Sequence, residues 1–106
     1  MDILEKKTFY NNLFDYYSML LTDKQRMYFQ AYYFDDLSLQ EIASIHNVSR
    51  SAVHEQIQKT YVSLEHYEEK LGLLDKDNKR NELYEEYLDR NNPEIMELIE
   101  KLKNLE

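Results

Sequence analysis

The chain has 106 residues with one glycine, one proline, no cysteine and a formal charge of −8 at neutral pH. Such a chain is one small domain with at most a helical appendage; it has little material for hairpins or long loops, and a disulfide scaffold and a thiolate metal site are excluded. No apolar run approaches the roughly 18 residues that span a bilayer, and Met1-Asp2-Ile3-Leu4-Glu5-Lys6-Lys7 lacks the regions of a signal peptide, so a cytoplasmic protein without membrane insertion is expected. The charge is unevenly spread. Residues 22–60 carry four basic and five acidic side chains, and residues 61–106 carry seven and thirteen. Neutralising phosphates takes a basic stripe, so tight DNA binding by a lone monomer is not expected.

In chain order, the first helix is expected over Leu4 to Leu21, where Phe9, Leu13, Tyr16, Tyr17 and Leu20 recur at three- and four-residue spacing. Thr22 then reads as an N-cap with Gln25 at the capping-box position. The second helix carries Tyr28, Phe29, Ala31, Tyr32 and Tyr33 and stops near Phe34-Asp35-Asp36, where two acids oppose the helix dipole. Ten of the fourteen aromatics precede residue 35, in helical spacing and without interleaved Lys or Arg. That pattern predicts a tyrosine-rich core with hydroxyls at its edge, not a platform for stacking bases.

The stretch Ser38 to Leu71 has the layout of a helix-turn-helix. Ser38 and Glu41 form a second capping box ahead of a short helix whose buried side is Leu39, Ile42, Ala43 and Ile45. Ala43 is small where two helices must approach, Asn47 suits a left-handed turn residue, and Val48 plugs the angle between the helices. Ser49 caps the next helix, which starts at Arg50, turns Val53, Ile57, Tyr61, Leu64 and Leu71 inward, and ends at Gly72. Its distal half, acidic on the outside, reads as a strut or an oligomer contact.

Beyond Gly72, Leu73-Leu74 and Asp75 to Asn78 are expected to be a connection. A fifth helix follows over Lys79 to Arg90 with Leu83, Tyr84, Tyr87 and Leu88 inward. Asn91-Asn92 breaks it and Pro93 opens a sixth, whose narrow stripe is Ile95, Leu98, Ile99, Leu102 and Leu105. Helices this short need a surface to pack on. That surface is the long helix of the same chain or a second copy, so monomer and homodimer both stand. The whole reads as an all-α chain of five to six helices, with a helical domain over 1–72 holding the helix-turn-helix (38–71). An acidic C-terminal helical hairpin over 73–106 packs on the same domain or on a partner copy.

The chemistry of catalysis is not evident. His46, His54 and His66 lack the i, i+4 pairing of a helical zinc site, and the paired carboxylates are adjacent residues that point about 100° apart on a helix. A single glycine leaves no phosphate-cradling loop, and no nucleophile has an evident base. No enzyme, cofactor or metal is expected. The candidate contact residues for nucleic acid are the exposed N-terminal positions of the second helix of the motif: Ser49, Arg50, Ser51, His54, Glu55, Gln58 and Lys59. Arg50 and Lys59 suit phosphate or guanine, Gln58 adenine and Glu55 cytosine. Equally, Ser49 and Arg50 can simply complete the cap, with Arg50 paired to a nearby acid.

These residues resemble a known pattern. Ser38-Leu39-Gln40-Glu41-Ile42-Ala43, then Asn47-Val48-Ser49-Arg50 and Val53, resembles the region-4 helix-turn-helix of bacterial sigma factors, of the winged-helix superfamily type but without a wing. Ala52, His54 and Glu55 depart from the basic character of sigma recognition helices. A longer similarity is to the YlxM family of small bacterial proteins. It runs through Asn12-Leu13-Phe14-Asp15-Tyr16-Tyr17, Leu20 to Arg26, Tyr32 to Leu39, Val48 to Val53 and Tyr67 to Leu73. The resemblance implies an all-helical DNA-binding protein. Its genes typically lie beside those of the signal recognition particle, which implies a regulatory part in protein targeting. Two expectations therefore stand: a binding module acting on the targeting GTPase or its RNA, and a DNA-binding regulator reading the major groove with helix 49–59.

Overall fold

The computed structural model describes residues 1–106 and contains six α-helices and no strand. They are α1 (Ile3–Tyr17), α2 (Asp23–Tyr33), α3 (Leu39–His46), α4 (Arg50–Leu71), α5 (Leu73–Leu88) and α6 (Pro93–Lys103), with one 3-10 turn at Ser18–Leu20. No helix is long and apolar enough to cross a membrane. The chain divides into two compact units, Met1–Gly72 and Leu73–Glu106.

In the first unit α4 is the axis against which α1, α2 and α3 pack. Leu13, Tyr17, Phe29, Ile42, Val53 and Leu64 are fully buried there, with Thr60 satisfied by donating to the Gln56 carbonyl at 2.8 Å. Phe14 and Tyr33 each stack with Phe29, with ring centroids 5.2 and 4.3 Å away. The tyrosine hydroxyls lie at the edge of this core. Tyr10 donates to Glu65, Tyr17 to Glu68 at 2.6 Å and Tyr67 to the Leu20 carbonyl at 3.0 Å, while Tyr33 and Tyr61 share a 2.6 Å bond. The acids of the distal half of α4 are thus partly acceptors for α1, beyond forming a solvated outer face.

The first helix ends four residues earlier than its apolar pattern suggests. Arg26 donates from Nε to the Ser18 carbonyl and from Nη2 to the Leu21 carbonyl, both at 3.2 Å, and so satisfies the carbonyls of a tightened turn. The buried face of α1 is also rotated from the expected one. Tyr10, Leu13, Phe14 and Tyr17 are buried, whereas Phe9 is half-buried and Tyr16 and Leu20 are exposed. Adjacent aromatic pairs at 9–10 and 16–17 allow either stripe, and bonding to Glu65 and Glu68 accompanies the choice of Tyr10 and Tyr17. Similar shifts leave Tyr32, Ile45, Val48 and Leu71 exposed and Leu39 and Tyr61 only half-buried, while Thr60 occupies the core.

The second unit differs most from expectation. Gly72 takes the left-handed conformation (φ 62°, ψ 29°) and α5 starts at once, so residues 73–78 are helix and not a connection. Asp75 suits the positive end of that helix and pairs with Lys79 at 2.8 Å, and Asp77 pairs with Arg80. The α5–α6 hairpin is antiparallel, since Arg80 and Tyr84 both reach Glu106. Asn91 turns the chain at φ 51°, and the Asn92 side chain caps α6 by accepting from the Glu94 and Ile95 amides at 2.9 and 3.3 Å. Only Leu74, Tyr84 and Ile99 are buried in this unit; Leu83 and Tyr87, expected inward, are exposed, as are Leu98, Leu102 and Leu105 of the apolar stripe.

Candidate nucleic-acid interface

The angle between α3 and α4 is built by local chemistry. Ser38 accepts from the Glu41 amide at 3.0 Å while Glu41 accepts from the Ser38 amide at 3.1 Å, which fixes the start of α3. Asn47 adopts φ 55°, ψ 46°, and the Val48 amide closes the turn by donating to the Ala43 carbonyl at 3.0 Å. Asn is among the few residues that enter this region readily. Ala43 is 1% exposed and Val53 fully buried, so the two helices meet across a methyl group where a larger side chain would hold them apart.

Ser49 has extended backbone geometry and its hydroxyl accepts from the Ala52 amide at 3.0 Å. It acts as the cap of α4. Arg50, Ser51, His54, Glu55, Gln58 and Lys59 are all exposed. At about 100° per residue they fall within half the circumference of the helix, with Arg50 at the edge next to the buried Ile57 and the others turned further from Val53 and Ile57. Arg50 has no ion pair, so its guanidinium is not consumed by a neighbouring acid. The first turn of α4 contains no acid to oppose the positive end of the helix dipole. Lys59 is different: its Nζ lies 3.1 Å from Glu55, one turn earlier, so a neighbouring acid offsets part of the charge it was expected to offer.

Three residues outside the expected set border the same surface. Gln25, Val62 and Ser63 join Glu55, Gln58 and Lys59 around an open groove of about 410 Å³. Gln25 serves two purposes, accepting from the Thr22 amide at 3.0 Å and donating to Ser63 at 3.4 Å, and only the first belongs to its capping-box position. Val62 is 67% exposed, and helical periodicity, four residues on from Gln58, is what places it on this face. His46 lies edge-on to Tyr28 at 5.1 Å, in the core margin rather than on this face. No group of three or more His, Cys, Asp or Glu side chains is placed to hold a metal ion.

Residues 4–105 match the family described as "Putative helix-turn-helix protein, YlxM / p13 like". Similar proteins include those named UPF0122 protein in Bacillus cereus (strain AH187), Bacillus anthracis (strain A0248) and Bacillus thuringiensis subsp. konkukian. Each is 48% identical over 109 residues, covering 94% of this chain and 99% of the relative. With the capped helices, the left-handed Asn47 and the exposed face of α4 already in place, this similarity along nearly the whole chain fixes its kinship: the protein belongs to the YlxM / p13-like helix-turn-helix family.

Proposed function

We propose that this protein is a non-enzymatic regulatory binding module of the signal recognition particle pathway, acting on the targeting GTPase or its RNA. The observation that carries the choice of partner is the low positive charge on the exposed face of α4, and it favours the GTPase over the RNA, whose phosphates ask for cations as those of DNA do. Arg50 is its one unpaired cation, since Lys59 is held by Glu55. A duplex reader that neutralises six to ten phosphates needs far more (roughly that many cations). The pathway itself is supported by the resemblance to YlxM proteins and the neighbourhood of their genes. The test is capture of tagged protein from a bacterial lysate, split into untreated, DNase-treated and RNase-treated portions. Particle GTPase recovered from all three supports a protein contact, and its loss on RNase treatment alone supports an RNA contact. Recovery of defined DNA, with no particle component in any portion, overturns the reading.

A DNA-binding regulator is the second reading, favoured by the acid-free first turn of α4 and the exposed polar row Ser51, His54 and Gln58. Paired half-sites on a two-fold assembly would compensate for weak single contacts. The salt dependence of affinity decides it. Under this reading Arg50→Ala with Lys59→Ala lowers the slope of log affinity against log salt by up to about 2, one for each phosphate that is no longer neutralised. A DNA affinity and slope untouched by the double change removes α4 as the reading helix.

A further inference from the structure

The α5–α6 hairpin has an apolar face that its own unit leaves uncovered. Leu83 and Leu98 are 54% and 56% exposed, and Tyr87, Leu102 and Leu105 are exposed as well. Leu83, Tyr87, Ile95, Leu98 and Leu102 line one shallow groove between the two helices, above the buried Tyr84 and Ile99. We propose that this face is a homodimer interface, covered in solution by the same face of a second copy.

Three observations select a second copy as the occupant. The first is register. Ile95, Leu98, Leu102 and Leu105 recur at three and four residues, the spacing of a seam that packs against a like seam. A two-fold interface requires such self-complementarity.

The second is charge. The outer flank of α5 beside Leu83 and Tyr87 carries Asp75–Lys79 and Glu86–Arg90. That of α6 beside Leu98 carries Glu97–Lys101 at 3.1 Å. Each of these three acids is paired with a base one turn along the chain, so this strip of the rim is neutral, while Glu82 and Glu94 beside it form no ion pair and the unit as a whole stays acidic. A face intended for a basic partner would leave its acids free, whereas one intended for its own copy must cancel them before like meets like.

The third is area. The exposed parts of Leu83, Tyr87, Leu98, Leu102 and Leu105 amount to on the order of 500 Å² per copy, so their complete burial in two copies removes up to about 1,000 Å², the threshold of a specific interface.

The experiment is sedimentation equilibrium of the full chain, with Leu83→Glu/Leu98→Glu as the probe and Val62→Glu on α4 as the control. The wild-type chain and the control are expected at twice the 13.0 kDa chain mass. The double variant is expected at the single mass with at least the helical circular dichroism of residues 1–72 retained, its dissociation constant raised about 100-fold or more by the buried, unpaired carboxylates. Both substituted leucines are more than half exposed, so the folded single chain tolerates the change. A wild-type chain that stays at 13.0 kDa up to about 100 µM overturns the proposal and leaves the face to a different partner. So does a double variant that remains dimeric. If the double variant loses helicity, a spin label on Leu98→Cys decides, because the chain has no other cysteine. Packed faces place helix axes about 10 Å apart and give a short distance between copies, whereas absence of intermolecular coupling rules the interface out.

Discussion

Tyr10 shows how one side chain ties burial to a measurable pH response. Its ring packs edge-on against Tyr61 at 4.7 Å and its hydroxyl donates to Glu65. Burial, and then the carboxylate acceptor, push its pKa up to about 12. In the unfolded chain the same phenol titrates near 10 (an approximate reference value). Between those limits the native state keeps a proton that the unfolded chain has released, so the contribution to stability is complete below pH of about 10 and is lost as pH rises through about 12, at roughly 1.4 kcal/mol per pH unit. Tyr61, raised by burial and its bond with Tyr33, adds to the loss in the same direction. Thermal unfolding at rising pH is therefore expected to show a midpoint that falls steadily once pH passes about 10. Tyr10→Phe is expected to cost about 1 kcal/mol at neutral pH and to flatten part of that fall. A slope identical in the variant and the parent would show that Tyr10 does not hold its proton in the folded state.

At the scale of elements, the α3–α4 corner depends on Ala43 remaining small. Ala43→Leu would add atoms at a site only 1% exposed between packed helices, and is expected to destabilise by about 1–3 kcal/mol, read from denaturant unfolding. An unchanged unfolding midpoint would mean that the corner can open. The same elements show what was legible in the residues. Ser38, Glu41, Ser49, Asn47 and Gly72 act through bonds to atoms a few positions away, so caps and left-handed turns follow from local sequence. The rotated face of α1 did not, because Phe9-Tyr10 and Tyr16-Tyr17 fit two stripes and the partners Glu65 and Glu68 are some fifty residues distant. The start of α5 was hidden for the opposite reason. Asp75-Lys76-Asp77-Asn78 looks like a polar turn until Asp75–Lys79 and Asp77–Arg80 are seen as pairs along a helix. For the α4 face, exposure follows from helical period, whereas the pairing of Lys59 with Glu55 and the position of Gln25 depend on side-chain geometry.

At the scale of the whole molecule, the two units differ in their means of holding a fold. Met1–Gly72 encloses a continuous core around α4, and its tyrosine hydroxyls find acceptors at the margin. Leu73–Glu106 is shorter than the roughly 40 residues below which a chain rarely folds unaided. Its helices of 16 and 11 residues lie near the limit of about 12–15 at which isolated helices are marginal, and they bury only Leu74, Tyr84 and Ile99. We therefore expect a fragment of residues 1–72 to unfold cooperatively, with a midpoint near that of the full chain. A fragment of residues 73–106 is expected to be mostly unfolded when dilute. If its apolar face is completed by a second copy, its helicity grows with concentration, because association and folding become one equilibrium. Circular dichroism of the two fragments over a hundredfold range of concentration measures both. Helicity of 73–106 that is high and independent of concentration would show that the hairpin needs no partner surface, and an unstructured 1–72 would show that the first unit depends on the second.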